Sequence, residues 1–237
     1  MGIIRKAAVG VTVGTAAALG YLHVATSIIA PIPLNDALYS SSAYKKYNPH
    51  KNAATNDICV KTIPLNRIRP ELLQKEGDLA LELCRGVWHG WGYAIQRRHL
   101  HRKWYGPETS SQLWTRDQLA ASTYEVGTAV TDHFEVVDRS PNEILVRAGG
   151  SPREQGGRPA DGLFAIGAVV DHDAQVARLT LKSCLFPSHC KIESDKGPMH
   201  APVELLHQWY SRVLLVSAAS RLTRAEEKQH FNSYRGT

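Results

Sequence analysis

The chain of 237 residues lacks the motifs that mark the common enzyme classes. It contains no HExxH zinc motif, no GxGxxG dinucleotide fingerprint, no Walker phosphate loop, no protein-kinase set and no Ser-His-Asp order. Metalloproteases, dinucleotide-dependent enzymes and the common hydrolases are therefore disfavoured, and no cofactor is predicted. The stretch 149–159 is rich in Gly, Pro and Arg but follows neither glycine-rich pattern, so it predicts a mobile flap over one end of a sheet.

Cysteine is also scarce, and the four cysteines are Cys59, Cys84, Cys184 and Cys190. No two of them have the CxxC spacing or another metal-ligand spacing, which favours buried free thiols over a metal centre. Cys184 and Cys190 could form a local disulfide if this region faces an oxidising compartment. The chain has no N-x-S/T sequon, which neither supports nor excludes a secretory route.

The chain is mildly basic, with a formal net charge of +6. Much of the positive charge lies at Arg5, Lys6, Arg97, Arg98, Arg102 and Lys103. No recognisable nucleic-acid module accompanies these cations, so nucleic acid is not predicted as a partner. A solvated helix face is favoured, and an anionic membrane surface is the next alternative. The same cations would repel a divalent metal ion from His99 and His101, so no metal site is predicted there.

The N-terminal segment 7–30 contains no Asp, Glu, Lys or Arg. Its length suits a helix that spans a bilayer, which needs about 20 residues. We expect residues 1–33 to be a single-pass membrane anchor with Arg5 and Lys6 on the cytoplasmic side. A cleaved signal peptide or a mitochondrial targeting segment are the alternatives, and the sequence does not distinguish the endoplasmic reticulum from the mitochondrion.

The central part of the chain reads as an antiparallel sheet. The runs Thr131–Asp138 and Glu143–Ala148 are rich in Val, Ile and Phe, and a Pro-Asn turn separates them. A second pair of predicted strands, Asp161–Val170 and Gln175–Phe186, follows after the 149–159 loop. The segment Asp57–Ile63 reads as an earlier strand, so several antiparallel strands are expected.

Helices flank this predicted sheet on both sides in the sequence. Apolar residues near helical spacing predict a helix after Pro70, and a second helix is expected over Ala94–Trp104. A long amphipathic helix, Val203 to about Leu222, follows Pro202 and must bury its apolar stripe against the sheet. Residues 34–56 are polar and show no periodicity, so they predict a linker, while residues 223–237 predict a polar tail.

This order of elements is typical of an α+β fold: a curved antiparallel sheet with a helical pair and a long C-terminal helix packed across it, preceded by an N-terminal apolar helix. Residues 57–222 resemble the helix-grip proteins of the START/SRPBCC type, on the order of their elements. That resemblance implies a deep apolar ligand cavity between the last helix and the sheet. The chain also resembles fungal biosynthetic-cluster proteins with an N-terminal hydrophobic segment. A lipocalin-like or cystatin-like arrangement is the alternative fold.

Polar residues on the predicted strands supply the candidate site. Strand alternation places Ile144 and Val146 on one face and Arg147 on the other, but the sequence does not tell which face lines the cavity. The candidate catalytic residues are Tyr124, Asp132, His133, Arg147, Asp161 and Lys182, and the candidate pocket walls are Trp88 and Trp91. A charged pair inside an apolar pocket could polarise a carbonyl or move a proton. A solvent-exposed sheet face is the alternative for these charges.

Three functions are compatible with this sequence. The first is a cofactor-independent enzyme of secondary metabolism that binds a hydrophobic polyketide or terpenoid and promotes its cyclisation, cycloaddition or isomerisation, in the manner of a pericyclase. The second is a non-catalytic lipid-binding or lipid-transfer module tethered to a membrane through residues 7–30. The third is a membrane-associated mitochondrial scaffold whose interior is filled by side chains.

Overall fold

The structure, a computed structural model, describes residue 14 and residues 16–154 and 156–224 of the chain. Its strands are β1 (Ser27–Ile29), β2 (Thr55–Pro64), β3 (Ala129–Val130), β4 (Phe134–Arg139), β5 (Glu143–Gly149), β6 (Asp161–Asp171) and β7 (Val176–Phe186). They form one seven-stranded antiparallel sheet in the order β1-β2-β7-β6-β5-β4-β3. The first and last long strands are therefore neighbours, and the predicted antiparallel α+β architecture is confirmed.

The helices are α1 (residues 16–25), α2 (Ala37–Ser40), α3 (Ser42–Tyr47), α4 (Asp78–His89), α5 (Ala94–Trp104), α6 (Arg116–Ala121) and α7 (Ala201–Ala219). Short 3-10 turns cover Leu65–Arg67, Pro70–Leu73 and Trp91–Tyr93. The α5 bounds are those that the sequence predicts. The helix predicted after Pro70 begins only at Asp78, because a 3-10 turn and Gly77 with a positive φ intervene.

The sheet has two covered faces, as strand alternation requires. On one face Ile144, Val146 and Ile166 pack with α4 and α7 in the larger core. On the other face Leu145 and Leu163 belong to a second, smaller apolar cluster. Both faces are buried, so polar residues on either side need partners within the protein.

The C-terminal helix α7 lies across the sheet, as predicted, and contacts β2, β7 and α4. Its Leu215 and Ala218 are fully buried in the larger core, and a buried Leu contributes about 2 kcal/mol. The close approach of α4 to α7 depends on Gly86, because a Cβ there would lie 2.7 Å from the Ala218 carbonyl oxygen. The two helices therefore form one rigid layer over the sheet.

The prediction that residues 34–56 form a linker is wrong. The segment contains α2 and α3, whose N-termini are capped by the side chains of Asp36 and Ser41. Leu38 and Ala43 are buried against the second face of the sheet. Each helix is too short to produce a visible apolar period, which is why the composition suggested a linker.

The sequence predicts a continuous apolar helix to residue 30, but the described helix ends at residue 25. Residues 16–25 are helical, but Ser27–Ile29 form strand β1, which pairs with Val60, Cys59 and Ile58 of β2. Residues 1–13, with Arg5 and Lys6, lie outside the described residues, as do residues 225–237 of the predicted tail. Within the part of the chain that is described, no helix combines the length and apolar character that crossing a bilayer requires.

Two further details differ from the sequence-based expectation. The strand predicted over Thr131–Asp138 begins only at Phe134, because Thr131 and Asp132 adopt positive φ angles of 48° and 59° in a turn between β3 and β4. The four cysteines all fall within the described ranges, and each is a free thiol. Three are buried and Cys190 is exposed, so no bridge joins Cys184 to Cys190.

Candidate functional site

A cavity of about 240 Å³ lies between α7, the α4–α5 region and the first face of the sheet. Its walls are mainly apolar and come from Trp88, Phe134, Phe164, Leu185 and Leu214. The polar groups that reach it are few and come from Gln96, Ser183, His207, Tyr210 and Ser211. An apolar cavity with a small number of polar groups is the usual character of a small-molecule site.

Trp88 anchors the apolar wall of this cavity. Its ring lies 5.1 Å from Tyr93, 4.8 Å from Phe134 and 6.1 Å from Phe164, measured between ring centroids. The contacts with Tyr93 and Phe164 are edge-to-face and the contact with Phe134 is tilted, and such aromatic pairs add to the stability from burial. The indole Nε1–H of Trp88 is buried and makes no hydrogen bond of normal geometry, but it lies beside the Cys84 thiol, a weak acceptor one turn earlier on α4. The aromatic wall therefore holds a donor whose neighbouring acceptor among the described residues is a weak one.

Asp57 and His207 form the most unusual polar contact of the site. Asp57 lies on β2 and its side chain is 1% exposed, whereas His207 lies on α7 and its side chain is 21% exposed. His207 Nε2 is 3.4 Å from Asp57 Oδ2, within ion-pair reach. Neither carboxylate oxygen accepts a hydrogen bond from any residue in the described ranges. The pair is thus a close contact without hydrogen-bond alignment.

Ser183 completes this polar group. It lies on β7 directly opposite Asp57 in the strand register. Its hydroxyl is buried and has no hydrogen-bond partner within residues 16–154 and 156–224. Asp57, Ser183 and His207 therefore bring a carboxylate, a hydroxyl and an imidazole together at one end of the cavity.

Unpartnered buried polar atoms are concentrated around this cavity. In the described part of the chain, eight residues have such side-chain atoms. Three of them, Trp88, Ser183 and His207, line the cavity, and Asp57 contacts His207. Since folded proteins satisfy nearly all of their buried polar groups, such a concentration points to a place where a ligand or water supplies the missing partners.

A second polar pair lies at the cavity wall between α5 and α7. Tyr210 donates a hydrogen bond of 2.7 Å from its hydroxyl to Gln96 Oε1. Burial raises the pKa of Tyr210, so its phenol remains protonated at neutral pH. This pair bridges the two helices and holds the cavity wall in place.

The candidate residues Tyr124, Asp132 and His133 lie away from the cavity. Tyr124 is buried and donates from its hydroxyl to the Leu119 carbonyl over 2.7 Å, which is a packing role. Asp132 accepts hydrogen bonds from Gln112, Ser151 and Arg153. Burial would raise the pKa of Asp132, but the hydrogen bonds from these three side chains lower it overall.

Asp132 therefore ties Ser151 and Arg153, which lie in the stretch predicted as a mobile flap, to the β3–β4 turn. His133 follows it and lies next to the Trp104 ring, at 5.3 Å between centroids. Burial lowers the pKa of His133, so it is neutral in the folded state at pH 7.

Arg147, Asp161 and Lys182 lie on the second face of the sheet, on the far side from the cavity. Arg147 donates two hydrogen bonds to Asp161, and its guanidinium is 4.2 Å from the Tyr47 ring centroid. Lys182 pairs with Asp36 at 2.9 Å and with Glu143 at 3.2 Å. The structure brings Arg147 and Asp161 together, as a pair that ties β5 to β6.

The two predicted wall tryptophans have different surroundings. Trp88 lines the cavity, whereas Trp91 is 60% exposed and lines a separate depression with Tyr21. The Gly90–Gly92 break between α4 and α5 turns the chain by a 3-10 turn, and this turn points Trp91 outward.

The sequence does not single out Asp57, Ser183 or His207 as candidate site residues. A signal existed for Ser183, because it interrupts the apolar face of β7 that Ala177, Leu179 and Leu181 form. The other two residues lie 150 positions apart, and only the folded register of β2 under α7 brings them together.

No protein-family model, curated protein or solved structure matches the chain significantly. Within the described residues, no group of three or more His, Cys, Asp or Glu side chains is placed to hold a metal ion. The function must therefore be argued from the cavity and its polar groups.

Proposed function

We propose that the chain is a cofactor-independent enzyme that binds a small apolar molecule of polyketide or terpenoid type under α7 and promotes its isomerisation or cyclisation. This proposal rests on the contact between Asp57 and His207 at one end of an apolar cavity, in which the carboxylate oxygens and His207 Nε2 make no hydrogen bond with the described residues. The α+β architecture, with α7 across a seven-stranded sheet, is compatible with the helix-grip fold, whose members bind apolar ligands in the equivalent place.

The pair has the chemistry of a proton-transfer site. In the proposed reaction a small rotation of the His207 ring aligns its Nε2–H with Asp57 Oδ2, 3.4 Å away, which leaves Nδ1 as the base. His207 then takes a proton from a carbon next to a carbonyl group and returns it to another position. Ser183 supplies an O–H donor for the oxygen on which negative charge develops. This assignment gives Asp57, Ser183 and His207 each a role.

The size of the cavity favours a small substrate over a membrane lipid. An engineered apolar cavity of about 150 Å³ holds benzene, so 240 Å³ suits a molecule of roughly ten non-hydrogen atoms. A lipid with two long acyl chains has several times that many atoms. Lipid transfer therefore requires α7 to move away from the sheet, whereas binding of a small molecule does not.

An assay with a surrogate ketone tests the proton transfer without the natural substrate. The full chain is incubated in D₂O with 1-tetralone, a bicyclic ketone of suitable size, and deuterium uptake at the α-carbon is measured by mass spectrometry. We expect uptake above the buffer rate, and its loss in His207→Gln and in Leu214→Trp, which fills the cavity. Leu205→Trp is the matched control, because Leu205 lies on the exposed side of α7.

Uptake that is equal in the wild type, His207→Gln and buffer would refute the catalytic part of the proposal. Binding of the ketone without exchange would instead favour the non-catalytic ligand-binding alternative. No binding in any variant would favour the third alternative, a scaffold.

A further inference from the structure

Helix α1 is an apolar helix that lies almost entirely on the protein surface. Of residues 16–25 only Leu22 is buried, and none of the ten is Asp, Glu, Lys or Arg. Val24 is 87% exposed, and Leu19 and Tyr21 are also exposed. A helix that is apolar on all sides is normally buried in a protein core or in lipid. This helix has no such cover among the described residues.

Further exposed apolar side chains lie next to α1. Tyr21 of α1 and Trp91 line the same depression. The Trp91–Tyr93 turn leads directly into α5, whose second residue, Ile95, is 86% exposed. The apolar surface therefore continues from α1 through Trp91 to the start of α5.

The rest of α5 is strongly basic. Ile95, Arg98 and Arg102 are spaced three and four residues apart, so they share one face of the helix, while Leu100 packs into the core. Arg98, Arg102 and Lys103 are exposed, and α5 contains no acidic residue. None of these three cations forms an ion pair with another described residue. Their charge is available to an anionic partner.

We propose that α1, Trp91 and the outward face of α5 form one docking surface for an anionic lipid bilayer. The apolar side chains of α1 and Ile95 enter the acyl boundary, Trp91 occupies the headgroup level that aromatic residues favour, and the α5 cations contact acidic headgroups. The chain N-terminal to α1 adds Arg5 and Lys6 as its only charged side chains, which is the same sign of charge. A nucleic acid would meet the cations but would leave the apolar helix in water.

This docking surface goes beyond the proposed chemistry and does not depend on it. The test is co-flotation of the full chain with phosphatidylcholine vesicles, with and without about one-third phosphatidylserine. The test variant carries Arg98→Ala, Arg102→Ala and Lys103→Ala. The matched control carries Lys45→Ala, Lys75→Ala and Lys191→Ala, which removes three exposed cations from other parts of the surface. Circular dichroism verifies that both variants fold.

We expect the wild type and the control to bind the acidic vesicles more tightly than the neutral ones. Each cation near an anionic surface contributes about a fivefold factor in partitioning, so the α5 variant loses roughly 100-fold. Brominated lipid quenches the tryptophan fluorescence of the wild type, and Trp91→Phe removes most of that quenching. Equal binding to neutral and acidic vesicles, or equal losses in the α5 variant and the control, would overturn the proposal. Retention on duplex DNA or RNA without vesicle binding would also overturn it.

Discussion

Two buried aspartates offer a direct comparison between a carboxylate without hydrogen-bond partners and one with a full set. Asp57 and Asp161 are both almost completely buried. Asp161 accepts hydrogen bonds from Arg147, Ser188 and the Gly162 N–H. Asp57 accepts none from the described residues, and its close polar contact is His207 Nε2 at 3.4 Å. If Asp57 is kept for ligand chemistry, replacing each residue by Asn will have very different effects on stability.

The magnitudes follow from these surroundings. Removing one partner of a buried, hydrogen-bonded ion pair costs about 3–5 kcal/mol, because the other charge is left buried and unpaired. Asp161→Asn should therefore lower the melting temperature by roughly 6–20 °C at about 2–4 °C per kcal/mol. At Asp57 the substitution removes the several kcal/mol desolvation cost of the ion. In exchange it leaves a buried amide without partners, which costs about 1–3 kcal/mol.

These two terms at Asp57 nearly offset each other. We therefore expect Asp57→Asn to change the free energy of unfolding by less than about 1 kcal/mol while abolishing deuterium exchange of the bound ketone. Differential scanning calorimetry of both variants and the wild type measures the difference. A loss of stability at Asp57→Asn as large as at Asp161→Asn would refute the reasoning, because the Asp57 carboxylate would then hold the fold together.

Three further predictions concern packing, pH and thiol reactivity. Gly86→Ala should lower the free energy of unfolding by about 1–3 kcal/mol, because the new Cβ meets the α7 backbone. Gly106→Ala is the control, because its Cβ would have open space and should leave the stability unchanged. A urea titration of both variants measures the difference. Burial, together with Arg116 and Arg221, lowers the pKa of His89 below its usual 6.5. The stability that His89 contributes is therefore present above pH 6.5 and is lost as the pH falls through the lower folded value; a melting series from pH 8 to 5 should become flatter in His89→Gln, and an unchanged slope would contradict this. Cys190 is the one exposed thiol of the four cysteines, so a native-state thiol titration should modify one group per chain, and Cys190→Ser should reduce it to none.

Local patterns in the sequence were enough to predict the large elements. The alternation of Ile144, Leu145 and Val146 fixes both faces of β5, and the Ala94–Trp104 helix ends at the Gly-Pro stop that follows it. The apolar stripe of the last helix required a large partner, and the sheet is that partner. These features depend on neighbouring residues, which a single sequence records directly.

The site could not be predicted in the same way. His207 reads as one polar residue in an apolar helix, and Asp57 as the first residue of a strand. Their contact depends on β2 pairing with β7 and on α7 crossing above them, which are both long-range events. The strand pattern that singles out Arg147 and Lys182 as candidates is correct. The sequence does not reveal that α2 and α3 cover the second face of the sheet, because both helices are too short to show a helical period.

A methyl NMR titration of the full chain with 1-tetralone shows whether the space under α7 admits a small apolar molecule. Leu185 and Leu214 line the cavity, whereas Leu163 is fully buried and packs on the second face of the sheet. We expect saturable shifts at the methyl groups of Leu185 and Leu214 and none at Leu163. Shifts at Leu163 alone, or no saturable shift at any of the three, would contradict it.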